Sequence, residues 1–213
     1  RQDADKALAT YQRALKANPD SDDAKAFVGK IYLANAKRAL FFGDTKKAEG
    51  LMAKGKNIFD GVLARDFENI PGNNAMALYW LLKNNADKAE EYVKQVLILE
   101  PQNVTALNTR GLIFLQSGQL NFAEWIFAQK VLSLDANSVE AHTNLGTVYV
   151  KKKKLPLAVK HFRRAVKLDK NNLEARMNLG AIFIDFLNYE GAKNHFEHVL
   201  TIDKKNVEAI IGL

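Results

Sequence analysis

Residues 139–172 read VEAHTNLGTVYVKKKKLPLAVKHFRRAVKLDKNN, and the spacing inside this stretch decides the fold. Gly146 is followed three residues later by Tyr149, twelve later by Ala158 and sixteen later by Phe162. Leu145, Tyr149 and Val150 form one apolar stripe of helical period; Val159, Phe162 and Val166 form a second, beyond a short lysine-rich turn. The stretch therefore reads as two antiparallel helices. A small residue on the first and an alanine on the second let the backbones approach closely, and the two rings are expected to fill the wedge towards the next unit.

The same spacing recurs on both sides at intervals of 34 or 35 residues. Ala77, Gly111 and Gly180 take the small position, Trp80, Phe114 and Phe183 the ring, Ala89, Ala123 and Ala192 the alanine, and Val93, Phe127 and Phe196 the bulky position. A period of this length denotes stacked helix pairs, none of which can bury its apolar face alone. The repeats so defined are 70–103, 104–138, 139–172 and 173–206. Segment 104–138 departs twice. Arg110 stands in a slot expected to hold leucine, where pairing with a carboxylate such as Glu124 would keep it satisfied. One extra residue near Lys130 must be absorbed by a wide helical turn or by the following loop.

Residues 22–69 form a longer version of the unit. Tyr32 to Ala48 spans 16 residues where Trp80 to Ala89 spans 9, and Ala48 to Ile70 spans 22 where Ala89 to Val104 spans 15. Each helix thus gains seven residues, close to two turns, so the apolar face returns to nearly the same side. The Gly43-Asp44 turn is expected to stand roughly 10 Å beyond its neighbours. Its candidate docking residues are Arg38, Phe41, Phe42, Lys46 and Lys47; a plain elongation packed against adjoining chain is the alternative. Residues 1–21 read as a lone second helix, with Ala7, Tyr11, Ala14 and Pro19 in its slots, and 207–213 open another first helix. An excerpt from a longer array is expected.

The pattern resembles the tetratricopeptide repeat, a helix-turn-helix unit of about 34 residues. The resemblance rests on Asn144-Leu145-Gly146, Tyr149, Ala158, Phe162 and Ala165 in one repeat and Asn178-Leu179-Gly180, Phe183, Ala192 and Phe196 in the next. Trp80, Ala89, Val96 and Pro101 extend it upstream. It implies an all-α, right-handed α-solenoid of antiparallel helix pairs over residues 1–213. It also implies a protein-interaction scaffold without catalysis, whose first helices line a concave surface for a peptide or helix of a partner protein. Two alternatives stay open: a substrate-recruiting arm of a larger, glycosyltransferase-like enzyme, and a basic patch that binds an anionic partner or surface.

Carried onto this chain, the groove positions are Asn74, Leu78 and Leu81, then Asn108, Thr109, Leu112 and Gln116, then Thr143, Asn144, Thr147 and Lys151, and finally Asn178 and Asp185. Asn144 and Asn178 hold one slot in successive repeats, and an amide donates and accepts at once. This resembles the asparagine ladder in the arrays of O-linked N-acetylglucosamine transferase and kinesin light chain, which hold extended peptides. The clamp by which chaperone adaptors hold a terminal carboxylate is not expected, because Asn108, Leu112, Thr143 and Thr147 carry no charge in its slots.

Charge is uneven. The net +7 equals the excess of segment 139–172, where nine basic residues, Lys151, Lys152, Lys153, Lys154, Lys160, Arg163, Arg164, Lys167 and Lys170, face Glu140 and Asp169. Such a patch draws acidic protein segments or anionic surfaces; a solvated outer helix face is the plainer alternative. Nucleic acid is disfavoured for want of exposed aromatics in the patch. No apolar run approaches the roughly 20 residues needed to cross a bilayer. The absence of cysteine excludes disulfides and thiol catalysis from these residues, and it suits cytoplasm and bacterial periplasm equally. His142, His161, His195 and His198 lack carboxylates placed to support a metal, so no metal or cofactor is expected. Partner identity and oligomeric state are left unspecified.

Overall fold

The computed structural model describes residues 2–204 and 206–213, with the side chains of 9–11, 13–22, 24–204 and 206–213. Arg1, Lys205 and the side chain of Ala7, which fills a motif slot, lie outside the described residues. Every regular element described is helical, as the repeat pattern requires. The chain divides into two compact units, Arg1–Thr109 and Arg110–Leu213.

The first unit holds α1 (Gln2–Ala17), α2 (Asp22–Phe41), α3 (Thr45–Leu63), α4 (Ile70–Leu82), α5 (Ala86–Leu99) and the start of α6 (Val104–Gln116). α2 pairs with α3 and α4 with α5 as antiparallel hairpins, and both members of the long hairpin pack on α4. Their core joins Leu33, Met52 and Phe59 to Met76 and Tyr79. The second unit holds the end of α6, α7 (Leu120–Trp125), a π-helical segment (Ile126–Val131), α8 (Leu132–Leu134), α9 (Val139–Lys151), α10 (Leu155–Leu168), α11 (Leu173–Asp185), α12 (Tyr189–Ile202) and α13 (Val207–Ile211). α9 pairs with α10 and α11 with α12, while α11 packs on both members of the preceding hairpin. Asn and Ser residues start these helices: Asn69, Asn85, Ser138, Asn172, Asn188 and Asn206 each accept from the backbone N–H three residues on. Such a cap stabilises a helix by about 1 kcal/mol.

Within each hairpin the small residue and the bulky one sixteen places later form a lock. A Cβ placed on Gly111 would meet the Phe127 ring at 2.5 Å, on Gly146 the Phe162 ring at 2.4 Å, and on Gly180 the Phe196 ring at 2.5 Å. Only glycine lets these rings lie on the helix backbone. In repeat 70–103 Ala77 adds the methyl and Val93 gives up the ring, and both are fully buried. The long hairpin uses the same device, with Gly29 against Phe59 at 2.5 Å. Phe196 also lies against Gly212, which caps the C-terminus of α13, reaching forward to the next repeat. The other aromatic position on α9 and α11 reaches backward instead, which corrects the expected direction there. Tyr149 Oη donates to Glu124 of the preceding repeat at 2.9 Å, and the guanidinium of Arg163 on α10 stands over the Phe183 ring.

Each hairpin turn contains one residue of positive φ, seven places after the small residue: Asn84, Gly118, Lys153 and Leu187. In the long hairpin that residue is Gly43, fourteen places after Gly29, so the seven added residues of α2 lie on the turn side of the lock. Gly43 to Phe59 is likewise seven longer than Gly118 to Phe127. α3 nevertheless gains only five over α5, 19 against 14, because it ends four residues after Phe59 where α5 ends six after Val93. The remaining two residues widen the following loop. The extra residue of 104–138 is taken up inside the second helix, by the π turn at Ile126–Val131, which keeps Ile126, Phe127 and Val131 buried.

Candidate functional site

The first helices carry the predicted groove positions. In the first unit Asn74 is 7 % exposed and its Nδ2 donates to Asn103 Oδ1 at 3.3 Å. Asn103 Oδ1 also accepts from the N–H of Ala106 at 2.9 Å, so Asn74 ties α4 to the start of the next first helix. The side-chain oxygens of Asn74 and Asn108 are buried without a donor. Thr109 Oγ1 donates to its own helix at Thr105 O, Leu78 is half-buried and Leu81 buried.

The second unit is more open. Thr143 and Asn144 are buried, Leu112, Thr147 and Asn178 half-buried, and Gln116, Lys151, Ala181, Ile184 and Asp185 exposed. Asn172 Nδ2 donates to Thr143 Oγ1 at 3.0 Å, joining the N-terminal ends of α9 and α11. Asn144 and Asn178 therefore occupy equivalent positions on helices that touch and run side by side. The hydroxyls of Thr143 and Thr147 donate to backbone carbonyls of α9, and Asn178 Nδ2 donates to Glu174 O at 2.8 Å. Helical self-bonding of this kind leaves the threonine oxygens as acceptors, and Asn178 with its carbonyl and one N–H.

The basic residues divide. Lys152 pairs with Glu124 and donates to Asn121 Oδ1 at 2.7 Å, Arg164 donates to Asn137 Oδ1 at 2.6 Å, and Arg163 stands over Phe183. The pairing with Lys152, together with the Tyr149 hydroxyl, holds the Glu124 carboxyl below its ordinary range, and burial with the bond to Glu124 pushes Tyr149 up to about 12. Lys151, Lys153, Lys154, Lys160, Lys167 and Lys170 stay exposed. At the long hairpin of the first unit Phe41 and Phe42 meet edge to face at 5.2 Å with Arg38 over the Phe42 ring, while Lys46 and Lys47 are exposed.

Three histidines are packed into the hairpins. His142 Nδ1 and His161 Nδ1 lie 3.1 Å apart, and His142 Nε2 is 3.3 Å from Ala136 O. Burial lowers both pKa values, that of His161 to about 4, so the pair is neutral near pH 7. A carbonyl can only accept, so His142 carries its proton on Nε2, and His161 Nδ1 donates to His142 Nδ1. His195, its Nδ1 buried without a partner, is likewise lowered to about 4 by burial. Among the described residues no group of three or more His, Cys, Asp or Glu side chains could hold a metal, and no helix is long and apolar enough to cross a membrane.

Helix hairpins locked by a glycine and a ring, stacked through their first helices, define the α-solenoid class. Models of the tetratricopeptide repeat match residues 139–172 and 1–55, and the chain contains tetratricopeptide repeats. No curated protein matches it by sequence. Among solved structures it is similar to TTC0263, a thermophilic tetratricopeptide-repeat protein of Thermus thermophilus, at 15 % identity and TM-score 0.67, over 83 % of this chain and 95 % of that one. It is also similar to MamA of Desulfovibrio magneticus at 18 % identity and TM-score 0.56, over 84 % and 97 %. Human IFIT1, solved as a dimer with m7Gppp-AAAA, matches at 16 % identity and TM-score 0.74, over all of this chain and 54 % of that one. At such identities the likeness is one of fold.

Proposed function

We propose that the chain is a protein-interaction scaffold that holds a peptide or helix of a partner along the first helices of its second unit. The observation that carries this is the contrast between the two faces of α9 and α11. Gly146 and Gly180 seal one face against their own second helices, while Thr147, Val150, Lys151, Asn178, Ala181, Ile184 and Asp185 stay accessible on neighbouring helices. Apolar Val150 and Ile184 supply contact area, threonine and asparagine oxygens accept from a partner's N–H groups, and Lys151 and Asp185 offer opposite charges that set its direction. Each hydrogen bond contributes about 0.5–1.5 kcal/mol net, so useful affinity needs several together with the apolar contact.

The test is a selection of peptides from a random library against the 213-residue chain, followed by affinity measurement on variants. Val150→Glu and Ile184→Glu should each weaken the selected peptides at least tenfold, and Lys160→Glu on α10 should leave them unchanged. Peptides indifferent to both α9 and α11 substitutions would refute the assignment.

A further inference from the structure

The hairpin turns of the second unit share one edge. Lys152, in the turn after α9, reaches Asn121 and Glu124 just beyond the turn after α6. The bond from Asn172 to Thr143 aligns the N-terminal ends of α9 and α11, so their C-terminal ends, and the turns that follow, also lie together. Three consecutive turns thus form a row, and what they display is not what a solvated edge displays. Phe122 is 58 % exposed beside the first turn. In the third, Phe186 is 48 %, Leu187 72 % and Tyr189 63 % exposed. Leu187 is also the positive-φ residue, a position that suits glycine or asparagine and that here puts a leucine at the tip. Between these apolar flanks stands the lysine turn, with Lys151, Lys153 and Lys154 exposed, and Leu157 exposed one helical turn beyond.

We infer that this edge docks the second unit onto an anionic lipid surface. The chemistry matches on both counts. Aromatic and leucine side chains at convex tips enter the boundary between headgroups and acyl chains, and the lysines between them meet anionic headgroups. A row of projecting tips suits a flat surface, whereas a peptide is held by a concave one. Phe122, Phe186 and Tyr189 offer planes for base stacking, so the patch does not lack exposed aromatics as the sequence suggested. It is the exposed aliphatic Leu157 and Leu187, on which no base stacks, that favour lipid over a nucleic acid. Of the residues on this edge only Lys151, the last of α9, also belongs to the peptide-binding face, so the inference is tested at the others.

The test is flotation of the full chain with vesicles of phosphatidylcholine alone and of phosphatidylcholine mixed with phosphatidylglycerol. Binding is expected to the mixed vesicles only, and to fall with salt. Each lysine near an anionic surface is worth a factor of roughly five, so the double variant K153E/K154E, which spares Lys151, should lose roughly 25-fold or more. F186S/L187S should lose roughly tenfold or more while leaving the charge intact. Because these positions are exposed, circular dichroism should report folded variants. No binding to mixed vesicles overturns the inference. So does binding that F186S/L187S leaves unchanged, or capture of polyglutamate or a single-stranded oligonucleotide by the same lysines without vesicle binding.

Discussion

The Phe162 ring lies on the backbone of Gly146, so close that a Cβ on the glycine would stand 2.4 Å from Cε1 and 2.6 Å from Cδ1 and Cζ. Phe162 is fully buried and cannot retreat without moving the second helix. Gly146→Ala should therefore cost about 3 kcal/mol through overpacking, of which about 1 kcal/mol returns as helix propensity, a net loss of about 2 kcal/mol. Ala77 opposite Val93 shows how the chain itself relieves the clash. Gly146→Ala combined with Phe162→Val should accordingly be less destabilising than the sum of the single changes by about 1 kcal/mol or more in urea titration. Strict additivity would show that the ring does not depend on the bare backbone.

Leu187 holds φ at 58°, a conformation that costs a side chain about 1–2 kcal/mol. Leu187→Gly should raise the stability of the chain by about 1 kcal/mol, less the entropy glycine gains in the unfolded state. The same change should weaken vesicle binding. Gain in one measurement with loss in the other would show that the strained leucine is kept for its exposure; a loss of stability would mean that its contacts outweigh the strain.

His161 and His195 make stability fall with acid. Unfolded imidazoles titrate near 6.5, but burial lowers both folded values to about 4. Between those values the unfolded chain takes up protons that the folded chain refuses, so stability falls as pH drops from about 6.5 to about 4 and is flat with respect to these groups above that range. The charged and titratable neighbours of His161 are Lys160, Glu124 and His142; those of His195 are Arg176, Arg163 and His198. Urea titrations at a series of pH values should show a shallower slope in His195→Gln. An unchanged slope would place the acid sensitivity elsewhere.

The π turn at Ile126–Val131 should be removable. Deleting Gln129, which is exposed, restores the spacing of the neighbouring repeats and lets the helix close with α-helical bonds. The deletion variant should keep its helicity and lie within about 1 kcal/mol of the parent, since its neighbours fold with the shorter spacing. Deleting Lys167 from α10, which has no residue to spare, should lower the melting temperature well below the parent. Equal tolerance of the two deletions would contradict this account of the extra residue.

The fold was legible because its determinants are local and repeated: a glycine or alanine, then a ring or valine sixteen places on, meet across a hairpin whose turn has fixed length. The seven-residue lengthening of each half of 22–69 could be read for the same reason, although the early end of α3 could not, since nothing in residues 64–69 marks the loss of its last two residues. The candidate site was less legible. Asn178 shares its slot with Asn144, yet spends one N–H on Glu174 O, a choice set by local packing. Lys152 looks like its neighbouring lysines in sequence, but Glu124 reaches it from the preceding repeat. The exposed aromatics beside the basic turn were missed because Phe122, Phe186 and Tyr189 belong to other repeats, and only stacking brings their turns onto one edge. The positive φ at Lys153 and Leu187 has no compositional signal; it is imposed by hairpin geometry on whatever residue stands seven places after the glycine.

Hydrogen–deuterium exchange of the chain with and without a library-selected peptide tests the proposed function most directly. Slowed exchange should appear in α9 and α11, around Thr147, Val150, Ala181 and Ile184, while α10 and α12 keep their free rates. Protection confined to the second helices, or to the turn edge, would contradict a partner held along the first helices.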